Sequence, residues 1–305
     1  MIELKPFLSE RVWGGSELKR LKNISAAEFS APLGETWEVS THKEGESSIE
    51  LDGKSHKLKD YLGKDLSYLV KFISCEDNLS VQVHPNDQYA KIHESSKGKT
   101  ECWIILDVKE NGGIYLGFKP GITKEIFQEK VLHNQDVSEC LNFYSVKPGD
   151  FFYVPAGSVH ALAKGVTLVE VQQSSGVTYR VWDWNRLGLD GKPRELHVKK
   201  SFDVLNFSPE HNSLSAFNFK SNVFAFSDDF GVLASHEDFH VKIFNMKKNE
   251  RKKISLSTSN ISSFIVLNGE FQKNDKVLKS YSSYFINESI LEIICHETGS
   301  FLIID

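Results

Sequence analysis

The chain has 305 residues, 40% apolar and 25% charged, which suits one large or two ordinary globular domains and excludes a disordered protein. Its 36 basic residues stand against 41 acidic ones, a net charge of −5, so no nucleic acid or anionic membrane is expected as a partner. Four cysteines (Cys75, Cys102, Cys140, Cys295) form no C-x-x-C pair, the charged start does not read as a signal peptide, and no stretch nears the roughly 18 apolar residues of a bilayer span, so a cytoplasmic setting is expected.

Most of the chain reads as short strands. With 21 Phe and 9 Tyr against 2 Met, the core is aromatic and leans towards sheet. In chain order the strand candidates are residues 80–84 (SVQVH), 101–107 (ECWIILD), 150–154 (DFFYV), 166–171 (VTLVEV) and 263–267 (SFIVL), rich in β-branched and aromatic residues and separated by Gly, Pro or Asn. Helix signals are few: residues 55–62, 85–95 and, most clearly, 123–132, where Thr123 can cap and Ile126, Phe127 and Val131 fall near helical spacing. That piece, about 121–141, reads as an insertion between strand-rich regions. The polar run at 206–213 (NFSPEHNS) marks a boundary, giving residues 1–207 and 208–305 as two domains. The basic run 247–253 (KKNERKK) reads as a solvated hairpin end.

Gln82 and His84, two apart on a predicted strand, share a face with Ser80. Glu101 opens the next strand behind Lys99, and His160 follows a Gly- and Pro-punctuated turn. Two imidazoles with a carboxylate suit zinc or another divalent first-row metal. His42, His56, His93, His133, His236 and His240 carry no such context. Residues 149–160 (GDFFYVPAGSVH) fit G-x5-P-x-G-x2-H and resemble the second metal motif of the cupin barrels, although Lys164 stands where those have Asn.

The motifs at 79–87 (LSVQVHPND), 98–103 (GKTECW), 170–180 (EVQQSSGVTYR), 181–186 (VWDWNR) and 191–197 (GKPRELH), with 11–15 (RVWGG) and 34–40 (GETWEVS), resemble the type I mannose-6-phosphate isomerases in their short bacterial form. The likeness spans about residues 6–200, in order. It implies a mainly β protein: a cupin (jelly-roll) barrel with a helical insertion and a second, degenerate cupin-like C-terminal β domain. It implies one divalent metal, zinc in first place, on His84, Glu101 and His160. Gln82 falls on a fourth ligand position that some relatives do not keep. Arg180 falls on the family's essential arginine, Glu170 on an acidic position and Lys99 on the basic residue before the ligand carboxylate. Ser80 and Arg186 fall at spacings that suit contact with a substrate phosphate.

The implied reaction interconverts mannose 6-phosphate and fructose 6-phosphate, an aldose and a ketose, through an enediol. It needs a cation against developing negative charge, a fixed donor such as Arg180, and a base, Lys99 or Glu170, to carry a proton. Two other readings are a non-catalytic sugar-phosphate-binding cupin and an iron cupin dioxygenase. An oxygenase has no use for the Lys99, Glu170 and Arg180 set.

Overall fold

The computed structural model describes residues 1–225, 230–256 and 261–305. Among the described residues the strands form three antiparallel sheets. A five-stranded sheet runs Leu141–Ser145, Gly113–Phe118, His160–Leu162, Val81–Val83, Tyr179–Trp182. A six-stranded sheet runs Phe151–Val154, Glu101–Val108, Val166–Gln173, Tyr68–Ser74, Leu33–Val39, Phe7–Gly15. The third is built mostly from the C-terminal strands and also takes in Ile2–Lys5 and the hairpin Ser48–Leu51 with Lys54–Lys57.

The sheets stack as layers. Ile73, Trp103, Ile105, Phe152 and Leu168 of the six-stranded sheet pack against Ile114, Leu116 and Leu162 of the five-stranded one. The opposite face of the six-stranded sheet, with Val70, Phe72, Cys102, Ile104, Val169 and Val171, packs against Leu233, Val241, Ile243, Ile265, Leu302 and Ile304 of the C-terminal sheet. Three strands of the middle layer, Leu33–Val39, Tyr68–Ser74 and Val166–Gln173, are therefore buried along their whole length. Alternation still governs them, but the inward face carries Glu35, Lys71 and Glu170 among its apolar residues, and the cost of burying these is met by pairing them.

The clearest predicted helix forms as Lys124–Leu132, with Thr123 Oγ1 accepting from Ile126 N, and buries Phe127 and Val131. It lies between Gly113–Phe118 and Leu141–Ser145, which pair with each other, so the helical segment is the long connection of one hairpin. The segment 85–95 yields the helix Asp87–His93, capped by Asn86. The helix expected over 55–62 is shorter, Leu58–Leu62. Lys54–Lys57 instead pairs with Ser48–Leu51 across an Asp52-Gly53 turn with both residues at positive φ (50° and 73°), the hairpin geometry that Asp-Gly favours.

The basic run 247–253 begins as an exposed turn and continues into Arg251–Ser255. It is not the tip of a ladder, because the strands on either side of the turn both pair with Ile290–Ile304. All four cysteines are free and buried, and among the described residues no helix is long and apolar enough to cross a membrane.

Candidate active site and metal centre

Register creates the site. Across the five-stranded sheet His160 pairs with Gln82, and Gln82 pairs on its other side with Arg180, so the three form one row on one face. Across the six-stranded sheet, Trp37, Lys71, Glu170 and Trp103 form a second row. The rows face each other: the Trp103 and His160 rings meet edge to face at 5.4 Å. The Gly149–His160 motif supplies two tight turns, with Gly149 and Gly157 both at φ 89°, where a side chain would be strained. Gly157 N donates to His84 O at 2.9 Å, so the turn that delivers His160 also holds His84.

His84, Glu101 and His160 converge. Their ligand atoms lie within 4.8 Å of one another, and all three side chains are buried. Glu101 is 3.5 Å from His84 Nε2 through one oxygen and 3.4 Å from His160 Nε2 through the other. Each imidazole donates its Nδ1–H to a backbone carbonyl, His84 to Val177 O and His160 to Ser158 O, both at 3.0 Å. That fixes both tautomers and leaves both Nε2 atoms unprotonated acceptors near the carboxylate, His84 accepting from Lys99 and His160 from Gln82, as ligating histidines require.

Burial, reinforced by the nearby Lys99 ammonium, holds His84 well below the usual imidazole range and His160 at about 4, so both are neutral at neutral pH and able to ligate. Glu101 Oε1 is buried without a hydrogen-bond partner. Burial and the Glu170 carboxylate push Glu101 up, against the pull of Lys99. A buried carboxylate in that position fits a cation held between it and the two imidazoles. Gln82 Nε2 lies 3.1 Å from His160 Nε2, so its amide is at the edge of the ligand set.

Lys99 Nζ lies against Glu101, 3.1 Å from His84 Nε2 and 3.6 Å from Glu170. Glu170 does not orient a ligand histidine. It contacts Lys71 at 3.5 Å and Lys99, and accepts from Trp103 Nε1 at 3.2 Å. Burial alone would raise it, but the two lysines outweigh burial and lower it. Arg180 does not pair with Asp183. Its Nη1 donates to Glu195 O at 2.8 Å and its Nε is buried without a partner. His197 serves the backbone here, exchanging hydrogen bonds with Arg180 N and O.

Gln82, Lys99, Glu170 and Arg180 line a cleft of about 310 Å³ together with Ser80, Trp13 and Trp37, and Lys99 joins that cleft to the buried His84, Glu101 and His160 behind it. Arg186 is not brought into its lining. It is spent on Asp183 (2.9 Å) and Asp77 (3.1 Å). Five charged residues that sequence reasoning passed over are brought in: Arg11, Glu35, Glu44, Lys71 and Arg194. Arg11, Glu35 and Arg194 lay within the quoted motifs, and Glu35 shares a strand face with Trp37, which was the available signal. Among the described residues the cleft sets Arg11, Lys71, Lys99, Arg180 and Arg194 against Glu35, Glu44 and Glu170, a locally cationic pocket in an acidic protein.

Glu35 makes a testable contribution to stability. Burial opposes its charge, but Lys71, Arg11 and the Trp37 Nε1 hydrogen bond lower it to about 2. A depressed carboxylate stabilises the fold above its unfolded value and loses that contribution as pH falls. The loss runs from about 4.5 towards 2 and is on the order of 3 kcal/mol. Urea unfolding at pH 5 and pH 3 should therefore show a steeper acid loss in the native chain than in Glu35→Gln. Equal losses would remove Glu35 from the acid response.

A family model for the catalytic domain of type I phosphomannose isomerase matches residues 1–103. The mannose-6-phosphate isomerase of Streptococcus mutans is 36% identical over 225 residues, covering 70% of each chain. A Bacillus subtilis relative, GmuF, described as a probable mannose-6-phosphate isomerase, is 40% identical over 215 residues, 66% of this chain and 67% of its own. The chain belongs to the type I phosphomannose isomerase family. The crystal structure of the mannose 6-phosphate isomerase from Bacillus subtilis superposes with a TM-score of 0.83 at 27% identity, over 100% of this chain and 99% of that one. A phosphomannose isomerase from Salmonella typhimurium, at 17% identity and a TM-score of 0.75, shares the fold. The mainly β, cupin-type architecture expected from the motifs is thus the family's own, carried over the full length.

Proposed function

We propose that the chain interconverts mannose 6-phosphate and fructose 6-phosphate, with His84, Glu101 and His160 holding one divalent ion, zinc by its fit to this donor set, and Gln82 at the edge of the ligand set. The observation that carries this reading is the pair of unprotonated Nε2 atoms 3.4–3.5 Å from a buried, half-satisfied carboxylate, next to Lys99 of a cationic cleft. When bound, the ion supplies Lewis-acid polarisation beside the sugar carbonyl.

The chain's own residues do the rest. The substrate's C2 proton must leave and a proton must arrive at C1, while O2 loses and O1 gains one. Glu170 and Lys99, 3.6 Å apart, form an acceptor and donor pair able to hold those protons in turn. Arg180 supplies a fixed positive donor, its Nε unpaired and its orientation set by Glu195 O. Ser80, with Lys71, Arg11 and Arg194 at the rim, supplies polar and cationic contacts for the phosphate, a part the paired Arg186 is poorly placed to take. Trp13 and Trp37 shield the wall from water.

Turnover in D2O followed by NMR tests this. Fructose 6-phosphate carrying solvent deuterium at C1 is expected. Product without deuterium would mean that the C2 hydrogen is carried to C1 without solvent exchange, and no product would sink the isomerase reading.

A further inference from the structure

The catalytic segment Lys99–Glu101 is held from behind by a polar relay that starts in the C-terminal sheet. Glu101 pairs with Gln172, and one residue further Gln173 N donates to Thr100 O at 3.0 Å. The returning bond does not come from a backbone carbonyl. Thr100 N donates instead to the Gln173 side-chain Oε1 at 2.8 Å. The other end of that amide, Nε2, donates to both oxygens of Asp87 at 3.2 Å and to Asp238 Oδ2 at 2.8 Å.

Asp238 sits in the hairpin loop between Gly231–Ser235 and His240–Met246, beside the fully buried Phe239. Its backbone carbonyl accepts from Ser67 Oγ at 2.6 Å and its second carboxylate oxygen pairs with Lys97. Asp87 also accepts from Gly98 N at 2.8 Å. Asp87, Glu237 and Asp238 lie within 4.8 Å of one another, but Lys97 and the Gln173 amide already occupy the oxygens of Asp87 and Asp238, so the cluster is a junction and not a cation site.

We propose that Gln173 and Asp238 are positioning residues: the C-terminal sheet, through the Asp238 carboxylate and the Gln173 amide, fixes the Thr100 backbone and thereby sets Lys99 and Glu101 against His84, His160 and Glu170. A planar amide with an acceptor at one end and two donors at the other transmits orientation, because rotating it breaks both ends together. Partners one step removed from ligands are typically worth about 10- to 100-fold in metal affinity or activity. Gly98 shows how tightly the segment is seated: a Cβ there would meet the Asn86 and Asp87 backbone at 2.5 Å.

The kinetic arm of the test rests on the isomerase reading; the zinc arm does not. Q173E, D238N and the double variant are made in the full chain. Zinc affinity is read by competition with a chromophoric chelator, and kcat with mannose 6-phosphate. Q173E sets a carboxylate against Asp87 and Asp238, and a loss of about 10- to 100-fold in zinc affinity and kcat is expected. D238N keeps an acceptor for the Gln173 amide but weakens the Lys97 pair, so a smaller loss than in Q173E is expected. In the double variant the new amide at 238 donates to the new carboxylate at 173, and part of the loss returns.

Native zinc affinity and kcat in Q173E, with only a lowered Tm, would reduce Gln173 to packing. A loss that D238N does not lessen would remove the C-terminal sheet from the mechanism. If Q173E does not fold, Asp238→Ala carries the same comparison, and unchanged zinc affinity there overturns the proposal. A native chain that binds zinc without turnover overturns the isomerase reading instead, and the zinc arm still decides the positioning role.

Discussion

Replacing His160 with alanine is expected to strip the chain of its metal and of its turnover. His160 is one of three buried ligand side chains, and its Nε2 is 3.4 Å from Glu101. Without it two ligands remain, one of them a carboxylate in contact with the Lys99 ammonium. That cation competes for Glu101 once an imidazole is missing. The loss of zinc affinity should exceed the roughly 100-fold upper range seen when only an orienting partner is removed. The Trp103 edge contact and the strand pairing to Gln82 and Leu116 place His160 in a well-packed wall, so near-UV circular dichroism should accompany the metal analysis. A folded variant that retains stoichiometric zinc and full turnover would refute the site.

Arg180→Ala has the opposite signature. Arg180 is next to Gln82 in the cross-strand row but makes no hydrogen bond or ion pair with Glu101, His84 or His160 among the described residues. Zinc content should stay native, and kcat should fall by about 10²- to 10³-fold with a smaller change in KM, as expected for a donor aimed at charge that develops only in the transition state. Arg180→Lys should restore little, because a point charge on a flexible stem does not reproduce a guanidinium whose position is set through Nη1 and Glu195 O. Native kcat in Arg180→Ala would return this residue to a structural role.

The candidate ligand set was legible in the sequence for a physical reason. Gln82 and His84 share a face by the period-two rule, and the spacing of Gly149, Pro155 and Gly157 before His160 is demanded by backbone geometry that few other residues tolerate. Family resemblance added the roles of Lys99, Glu170 and Arg180, residues whose convergence no local pattern announces. What stayed hidden was the charged wall of Glu35 and Lys71. Their strands are buried on both faces, so the contrast between polar-out and apolar-in, on which strand reading depends, is lost there. Arg194, though within the quoted 191–197 motif, was not singled out because a loop position carries no facing pattern, and the Asp52-Gly53 hairpin because its short polar strands resemble a helix start more than a ladder. The third sheet's use of Ile2–Lys5, more than 270 residues from its partner strand Ser283–Ile286, has no local signature at all.

The most direct measurement is a coupled assay with mannose 6-phosphate, following fructose 6-phosphate before chelation, after chelation and after zinc is returned in stoichiometric amount. Turnover that disappears with the metal and comes back with zinc is the predicted result. Turnover that persists unchanged in the chelated chain would contradict a reaction built around His84, Glu101 and His160.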